Sequence, residues 1–324
     1  MEEAPNPPRN GEGDQPQAGG GAGTDSGAAP PPCFAWSPSP CGGGLVKLRS
    51  LLFVPGDRPD RMEKALASGA DALILDLEDA VAPVAKPEAR RAVRAFLEAQ
   101  GQANLWVRIN PLDGPDAERD LDAISAAHPN GIVLPKAEGG ASVAELTRRL
   151  TERGNATAQI LAIATETPAA IFQLGSFGGA RRLAGLTWGA EDLPAAIGAS
   201  TSREEDGGFT APYEIARALC LFGAAAAGVA PIETVYPAFR DLDGLAAYAA
   251  RARRDGFTGM MAIHPAQVPV INEAFTPSEA EIAHARAVVA AFEANPGAGA
   301  LSLDGRMIDR PHLVQAQRIL AAAG

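Results

Sequence analysis

The sequence predicts an (α/β)8 TIM barrel, (β/α)8, with a C-terminal helical lid segment, and three observations carry that expectation. Short Val/Ile/Leu-rich runs alternate with longer Ala-rich amphipathic stretches from Leu48 onward, the form taken by repeated βα units. About eight such runs occur, near the strand number and the roughly 250 residues at which a parallel barrel closes. Most are continuously apolar, as strands covered on both faces must be. A doubly wound open sheet is the competing architecture. The first turn, VPGDRPDR, lacks the G-x-G-x-x-G fingerprint that would favour it.

Residues 1–44 are crowded with Gly, Pro, Ser and Ala and hold almost no large apolar side chains, so they are expected to form a disordered leader that cannot offset its ordering entropy. The leader lacks the basic start and apolar core of a secretory signal, and Glu2, Glu3, Glu12 and Asp14 oppose a transit peptide. A translation start near Val46 is a further expectation. The barrel is expected over 45–275. Its strands fall at 50–55, 72–77, 105–109, 132–135, 160–164, 183–187, 232–236 and 259–263. Helices are expected at 59–68, 87–99, 142–153, 213–227 and 242–254, with one more at 278–293 after the Thr276-Pro277 turn. The 276–324 extension continues through a flexible NPGAGA stretch into LSLDGRMIDRPHLVQAQRIL. A barrel has no need of that tail, so a mobile lid or subunit contact is expected, against plain packing on the barrel exterior.

The chain has 324 residues, 28 Lys and Arg against 39 Asp and Glu, a net charge of -11 and a pI near 4.9. That balance leaves no electrostatic footprint for nucleic acid or an anionic membrane. No apolar run is long enough to predict a transmembrane helix. Cys33, Cys41 and Cys220 have no metal spacing, which fits reduced thiols in a cytoplasmic protein.

In a barrel, functional groups belong at the carboxyl ends of the strands. The stretch from Ile160 to Leu193 supplies two, because ILAIATE stops at Glu166 and LAGLTWGAED stops at Asp192. Carboxylates so placed are hard oxygen ligands of the kind Mg2+ takes, with substrate and water completing the shell. Either acid alone could instead face the positive end of the helix that follows. The other strand ends add Gly56, Asp57 and Arg58; Asp76, Glu78 and Asp79; Arg108 and Asn110; Pro135 and Lys136; Glu233 and Tyr236; His264 and Pro265. Random surface charge has no reason to respect strand polarity, so the joint placement favours a metal site. Arg108, between Val107 and Ile109, is expected on a rigid strand, able to bind a carboxylate or stabilise an oxyanion. An ion pair with Asp76, Glu78 and Asp79 is the alternative. His128 and His284 read as surface residues, while His264 and His312 have no assigned task and no histidine has zinc spacing. No G-x-S-x-G elbow or strand-end Cys offers a nucleophile, and metal, carboxylates and Arg together suit chemistry through an enolate.

RSLLFVPGDRPDRMEKA, ADALILDLEDAV, WVRIN, IVLPKAE, ATETPAA, WGAEDL, IHPAQ and GRMID, in that order from about Lys47 onward, resemble the citrate lyase beta-subunit-like family of CoA-ester lyases, which includes malyl-CoA and citramalyl-CoA lyases. The resemblance implies a TIM barrel assembled as a homotrimer or hexamer. It implies Mg2+ held by Glu166 and Asp192, and Arg108 on the carbonyl or enolate oxygen. It implies a lid whose Asp309 enters a neighbouring subunit's active site as general acid or base. It also places Asp57, Arg58, Lys136, His264 and Pro265 near a CoA thioester or a 2-oxo acid, with Glu78 and Asp79 ordering the metal's waters or Arg108. The implied reaction is reversible Claisen-type cleavage of a 3-hydroxyacyl-CoA dicarboxylate to acetyl-CoA and a 2-oxo acid. Two other readings stand beside it: a metal-dependent 2-oxo acid aldolase without CoA, and a citryl-CoA lyase subunit active only within a citrate lyase complex.

Overall fold

The computed structural model describes residues 48–323. The 1–44 leader, the start near Val46, Cys33 and Cys41 lie outside the described residues. Eight parallel strands close a barrel in sequential order: β1 (Ser50–Pro55), β2 (Ala72–Asp76), β3 (Leu105–Arg108), β4 (Gly131–Leu134), β5 (Gln159–Ile163), β6 (Leu183–Thr187), β7 (Ala230–Glu233) and β8 (Gly259–Ala262). β8 pairs with β1, which excludes the open sheet. Around them run α1 (Pro59–Leu66), α2 (Lys86–Ala99), α3 (Ala117–Ile124), α4 (Gly140–Glu152), the one-turn α5 (Pro168–Ile171), α6 (Asp192–Ile197), α7 (Ala211–Ala227), α8 (Leu242–Asp255) and α9 (Gln267–Ala274). No helix among the described residues is long and apolar enough to cross a membrane.

Strand parity divides the core in two. Leu52, Val54, Leu73, Leu75, Leu105 and Val107 point outward and pack under the helices, whereas Leu51, Ile74, Trp106, Val133, Leu161 and Ile232 fill the barrel interior. Each large side chain buried this way contributes about 1.5–3 kcal/mol. Two residues beyond Ile74 and Trp106, the inward parity falls on Asp76 and Arg108. Those two residues are in register across β2 and β3.

After α9 the chain forms α10 (Glu279–Ala294), whose Ser278 and Glu281 make a reciprocal capping box. The terminal segment then departs from the all-helical expectation. β9 (Ala300–Leu303) and β10 (Arg306–Asp309) pair antiparallel around Asp304 and Gly305, at φ 52° and 75°, before α11 (Arg310–Ala323). Two consecutive left-handed residues match the twist of a two-residue hairpin, a conformation that Asp-Gly adopts readily. Val288, Phe292, Ile308 and Ala316 give this segment an apolar cluster of its own.

Candidate active site

The site is built from the strand ends upward. Arg108 Nε and Nη2 donate to Asp76 Oδ1 and Oδ2 at 2.7 and 2.6 Å. Asp76 is held in turn by the amides of Glu78 and Ala80. Arg108 Nη1 lies 3.1 Å from Glu78 Oε2 and 3.6 Å from Asp79 Oδ2, and the guanidinium sits over the Phe53 ring. The ion-pair alternative is therefore realised, and it also aims the guanidinium: a bidentate clamp on one edge fixes the plane and leaves Nη1 facing the other acids. Burial works against the Arg108 charge, but the hydrogen bonds to Asp76 and the nearby acids more than offset it and raise its pKa.

Glu166 follows β5 and is buried. It does not cap α5; Thr167 does, accepting from the Ala170 amide. Glu166 Oε2 instead accepts from the Lys136 backbone N–H at 2.5 Å, with Lys136 in the left-handed region at φ 49°. Gly189 makes room for the Glu166 side chain, since a Cβ there would lie 2.6 Å from Glu166 Cγ. Thr165 Oγ1 accepts from the Gly189 amide and ties the two strand ends together. The Lys136 ammonium lies 3.5 Å from both Glu78 Oε1 and Asp192 Oδ1, so one lysine links the ends of β2, β4 and β6.

Five carboxylates, Asp76, Glu78, Asp79, Glu166 and Asp192, thus surround two cations, Arg108 and Lys136. Burial, helped by neighbouring acids, pushes the Glu166 carboxyl up to about 8 and that of Glu78 up to about 7. Glu78 Oε2 is buried without an aligned hydrogen bond, despite its nearness to Arg108. A surplus of buried, under-compensated carboxylate oxygen is what a hard divalent cation neutralises, so the donor set fits Mg2+. Among the described residues no group of three or more His, Cys, Asp and Glu is placed to hold a metal ion, so Mg2+ here would take its remaining ligands from water and substrate oxygens.

Two measurable consequences follow from this packing. A Gly189→Ala methyl must displace Glu166, and we expect the apparent affinity for Mg2+ to fall about 10-fold or more while folding survives; unchanged Mg2+ titration would show that Gly189 sets no ligand position. The second concerns pH. Glu166 is protonated in the native chain up to about 8 but ionises near 4.5 when unfolded, so between those values the native state holds the extra proton. Its contribution to stability is present below about 4.5 and is lost as pH rises to about 8. Melting of metal-free protein should therefore show a smaller decline across pH 5–8 in Glu166→Gln than in the wild type, and Mg2+ should raise the wild-type melting temperature more at pH 8 than at pH 5.5. Parallel curves for the two proteins would refute the assignment.

Among the remaining sequence-predicted residues the Gly56 amide donates to the Asp76 carbonyl, while Asp57, Arg58, His264, Pro265, Asp309, Glu233 and Tyr236 make no hydrogen bond or ion pair to this cluster. Asp57 is half-buried in the turn after β1. Arg58 pairs with Asp60 and, with Arg61, Lys64, His264 and Pro265, lines a cleft between α1 and the end of β8. The His264 ring stacks on Phe239. Asp309 ends β10 on the terminal segment. Glu233, expected among the mouth groups, is instead wholly buried, bonded to Arg217, Trp188 and Tyr248, and serves packing; Tyr236 bonds to Asp241. Asp76, expected at the strand end and as an ion-pair partner of Arg108, is selected by the register of β2 on β3 as the bidentate partner; Thr165 and Gly189 are the supporting residues that the sequence does not mark.

Comparison with known proteins gives the family and the fold. The family model for HpcH/HpaI aldolase/citrate lyase matches residues 49–265. A citrate lyase subunit beta-like protein of Mycobacterium tuberculosis is 38% identical over 280 residues, covering 84% of this chain and 94% of that protein. A (3S)-malyl-CoA thioesterase of Cereibacter sphaeroides is 33% identical over 279 residues, covering 85% and 94%. Among solved structures, CitE from Mycobacterium tuberculosis in complex with magnesium, acetoacetate and coenzyme A superposes with a TM-score of 0.73 at 37% identity, covering 85% of this chain and 98% of that one.

Proposed function

Because the chain belongs to the HpcH/HpaI aldolase/citrate lyase family, whose members are lyases acting on CoA esters, we propose that it is a Mg2+-dependent CoA-ester lyase. Its reaction is reversible cleavage of a 3-hydroxyacyl-CoA dicarboxylate, of the malyl-CoA or citramalyl-CoA type, to acetyl-CoA and a 2-oxo acid. The observation that carries this reading is the clamped Arg108 beside the buried, under-compensated carboxylates Glu78 and Glu166, with Asp192 next to them, at the carboxyl ends of the strands. The solved relative with magnesium, acetoacetate and coenzyme A supports the same cofactor and substrate classes here.

Glu166 and Asp192 would hold the metal, which when bound supplies Lewis acidity toward the oxygens of the 2-oxo acid portion. Arg108, kept charged and immobile by Asp76, stabilises negative charge on the thioester oxygen of the enolate. Glu78 and Asp79 orient Arg108, and Lys136 offsets the carboxylates while its amide aims Glu166. Arg58, His264, Pro265 and Asp57 bind the CoA ester, and the basic side chains of the α1 cleft suit its phosphates. Asp309, from a neighbouring subunit's terminal segment, moves the proton at the acetyl carbon. A homotrimer or hexamer is the assembly this needs, and the exposed Ile215, Leu219 and Phe222 along α7 support a subunit contact. Cys220 is buried and has no disulfide partner among the described residues, which supports a cytoplasmic location.

The deciding experiment assays the chain, purified alone, with acetyl-CoA and propionyl-CoA against glyoxylate, pyruvate and oxaloacetate, with and without Mg2+. Mg2+-dependent condensation with glyoxylate or pyruvate is expected. Turnover of free 2-oxo acid aldols without CoA would identify an aldolase, and silence until carrier and transferase subunits are added would identify a complex-bound subunit. Thioester hydrolysis is a second reading, favoured by the 33% identical thioesterase, and shows as release of free CoA from the condensation product. Asp309→Ala should keep KM for the ester within about 3-fold and lose about 100-fold or more in kcat. Full kcat in that variant would remove Asp309 from the chemistry.

A further inference from the structure

Asp309 is paired with His312, a residue to which the proposed function gives no task. Asp309 ends β10 directly before α11, and His312 lies three residues on, in the first turn of that helix. His312 Nδ1 is 2.5 Å from Asp309 Oδ1 and 3.2 Å from the Asp309 amide nitrogen, and the two side chains are 49% and 37% exposed. Nε2 has no protein partner among the described residues. The support is rigid: Ile308, next to Asp309, is packed against the apolar cluster with Val288, Phe292 and Ala316.

We propose that His312 is a positioning residue for Asp309 and the store of its proton: Nδ1–H holds one carboxylate oxygen and resupplies the proton that Asp309 delivers to the acetyl carbon. The inference rests on the reading of Asp309 as the acid at that carbon. In the cleavage direction the carbon–carbon bond breaks and its electron pair stays on the carbon next to the thioester. The 3-hydroxyl loses its proton to solvent as the 2-oxo acid carbonyl forms. The imidazolium passes its Nδ1 proton to the Asp309 carboxylate oxygen beside it as Asp309 delivers that proton to the new carbanion, and the ring regains one from water. One proton leaves to solvent and one returns. Imidazole is the side chain chemically suited to taking up and releasing a proton near neutral pH, which is the property a store behind a carboxylate needs.

The same residues could do no more than cap α11, with the His312 ring accepting the Asp309 amide as Glu or Gln does at the third position of a capping box. Glutamine separates the two tasks, because it supplies the acceptor but carries no proton. The test uses the full-length, Mg2+-loaded enzyme and the ester identified by the substrate panel. It measures kcat, KM, melting temperature and deuterium entry from D2O into the methyl group of acetyl-CoA. His312→Gln is expected to keep KM and melting temperature while kcat and deuterium entry fall about 10- to 100-fold. His312→Ala should fall likewise and recover several-fold on addition of free imidazole. If Asp309→Asn is inactive but His312→Gln runs at the wild-type rate, or imidazole leaves His312→Ala unchanged, the pair is a helix cap and the inference is overturned while the lyase reading stands. Full activity of Asp309→Asn, or no turnover of any ester in the panel, overturns both together.

Discussion

Glu166→Gln is expected to lose its response to Mg2+ and about 1000-fold in turnover, on the order of 4 kcal/mol of transition-state stabilisation. The substitution keeps the shape of the side chain, and the Lys136 amide can still donate to the remaining carbonyl oxygen. What disappears is the negative charge. That charge is also why the metal-free chain is strained electrostatically at this point, with Glu166 buried near Glu78 and Asp192 and its carboxyl pushed up to about 8. Activity and stability should therefore move in opposite directions: the variant is nearly inactive, yet without metal at pH 8 it melts at or above the wild-type temperature. Asp192→Asn should lose the metal response as well, with a smaller effect on stability because Asp192 is 39% exposed. Steady-state rates across a Mg2+ titration, with melting curves in chelator, measure both halves. A Glu166→Gln enzyme that still turns over with a normal Mg2+ dependence would falsify the metal assignment.

Arg108→Lys is expected to lower kcat about 100- to 1000-fold, the loss typical of removing one oxyanion donor, with KM changed only a few-fold. Lysine keeps a positive charge among Asp76, Glu78 and Asp79, which avoids the roughly 3–5 kcal/mol cost of stranding buried carboxylates that Arg108→Met would incur. It cannot reproduce the planar fork that grips Asp76 through Nε and Nη2 while turning Nη1 toward Glu78 and Asp79. Asp76→Asn is the companion variant: the guanidinium remains but one charged anchor is gone, so kcat should fall by less than in Arg108→Lys. The two variants should not be additive, since both act through one pair. A wild-type kcat in Arg108→Lys would leave Arg108 as a purely structural ion pair.

The barrel was legible because each strand is a continuous apolar run covered on both faces, and such runs keep their identity whatever surrounds them. All eight expected strands occur, with ends displaced by at most three residues. The terminal hairpin was not read, although LSLDGRMID carries an Asp-Gly turn between alternating residues. Its strands are four residues long and only Ile308 in them is buried, so the periodic apolar signal that marked the barrel strands is weak there. In the site, strand polarity alone pointed to Glu166, Asp192, Arg108 and Lys136. It could not distinguish them from Glu233, which ends a strand in the same way and is spent on Arg217, Trp188 and Tyr248.

What the sequence determined by itself was the list of strands, their polarity and the set of charged side chains at their ends, because these depend on local periodicity and chain direction. Only the tertiary structure decided which charges meet. The Asp76–Arg108 clamp needs the register of β2 on β3, the Lys136 amide reaches Glu166 because Lys136 turns left-handed at the end of β4, and Glu166 fits because Gly189, 23 residues later, carries no side chain. Electrostatic coupling is set by distance and burial in three dimensions, so identical carboxylates at equivalent strand ends acquire different partners and different tasks.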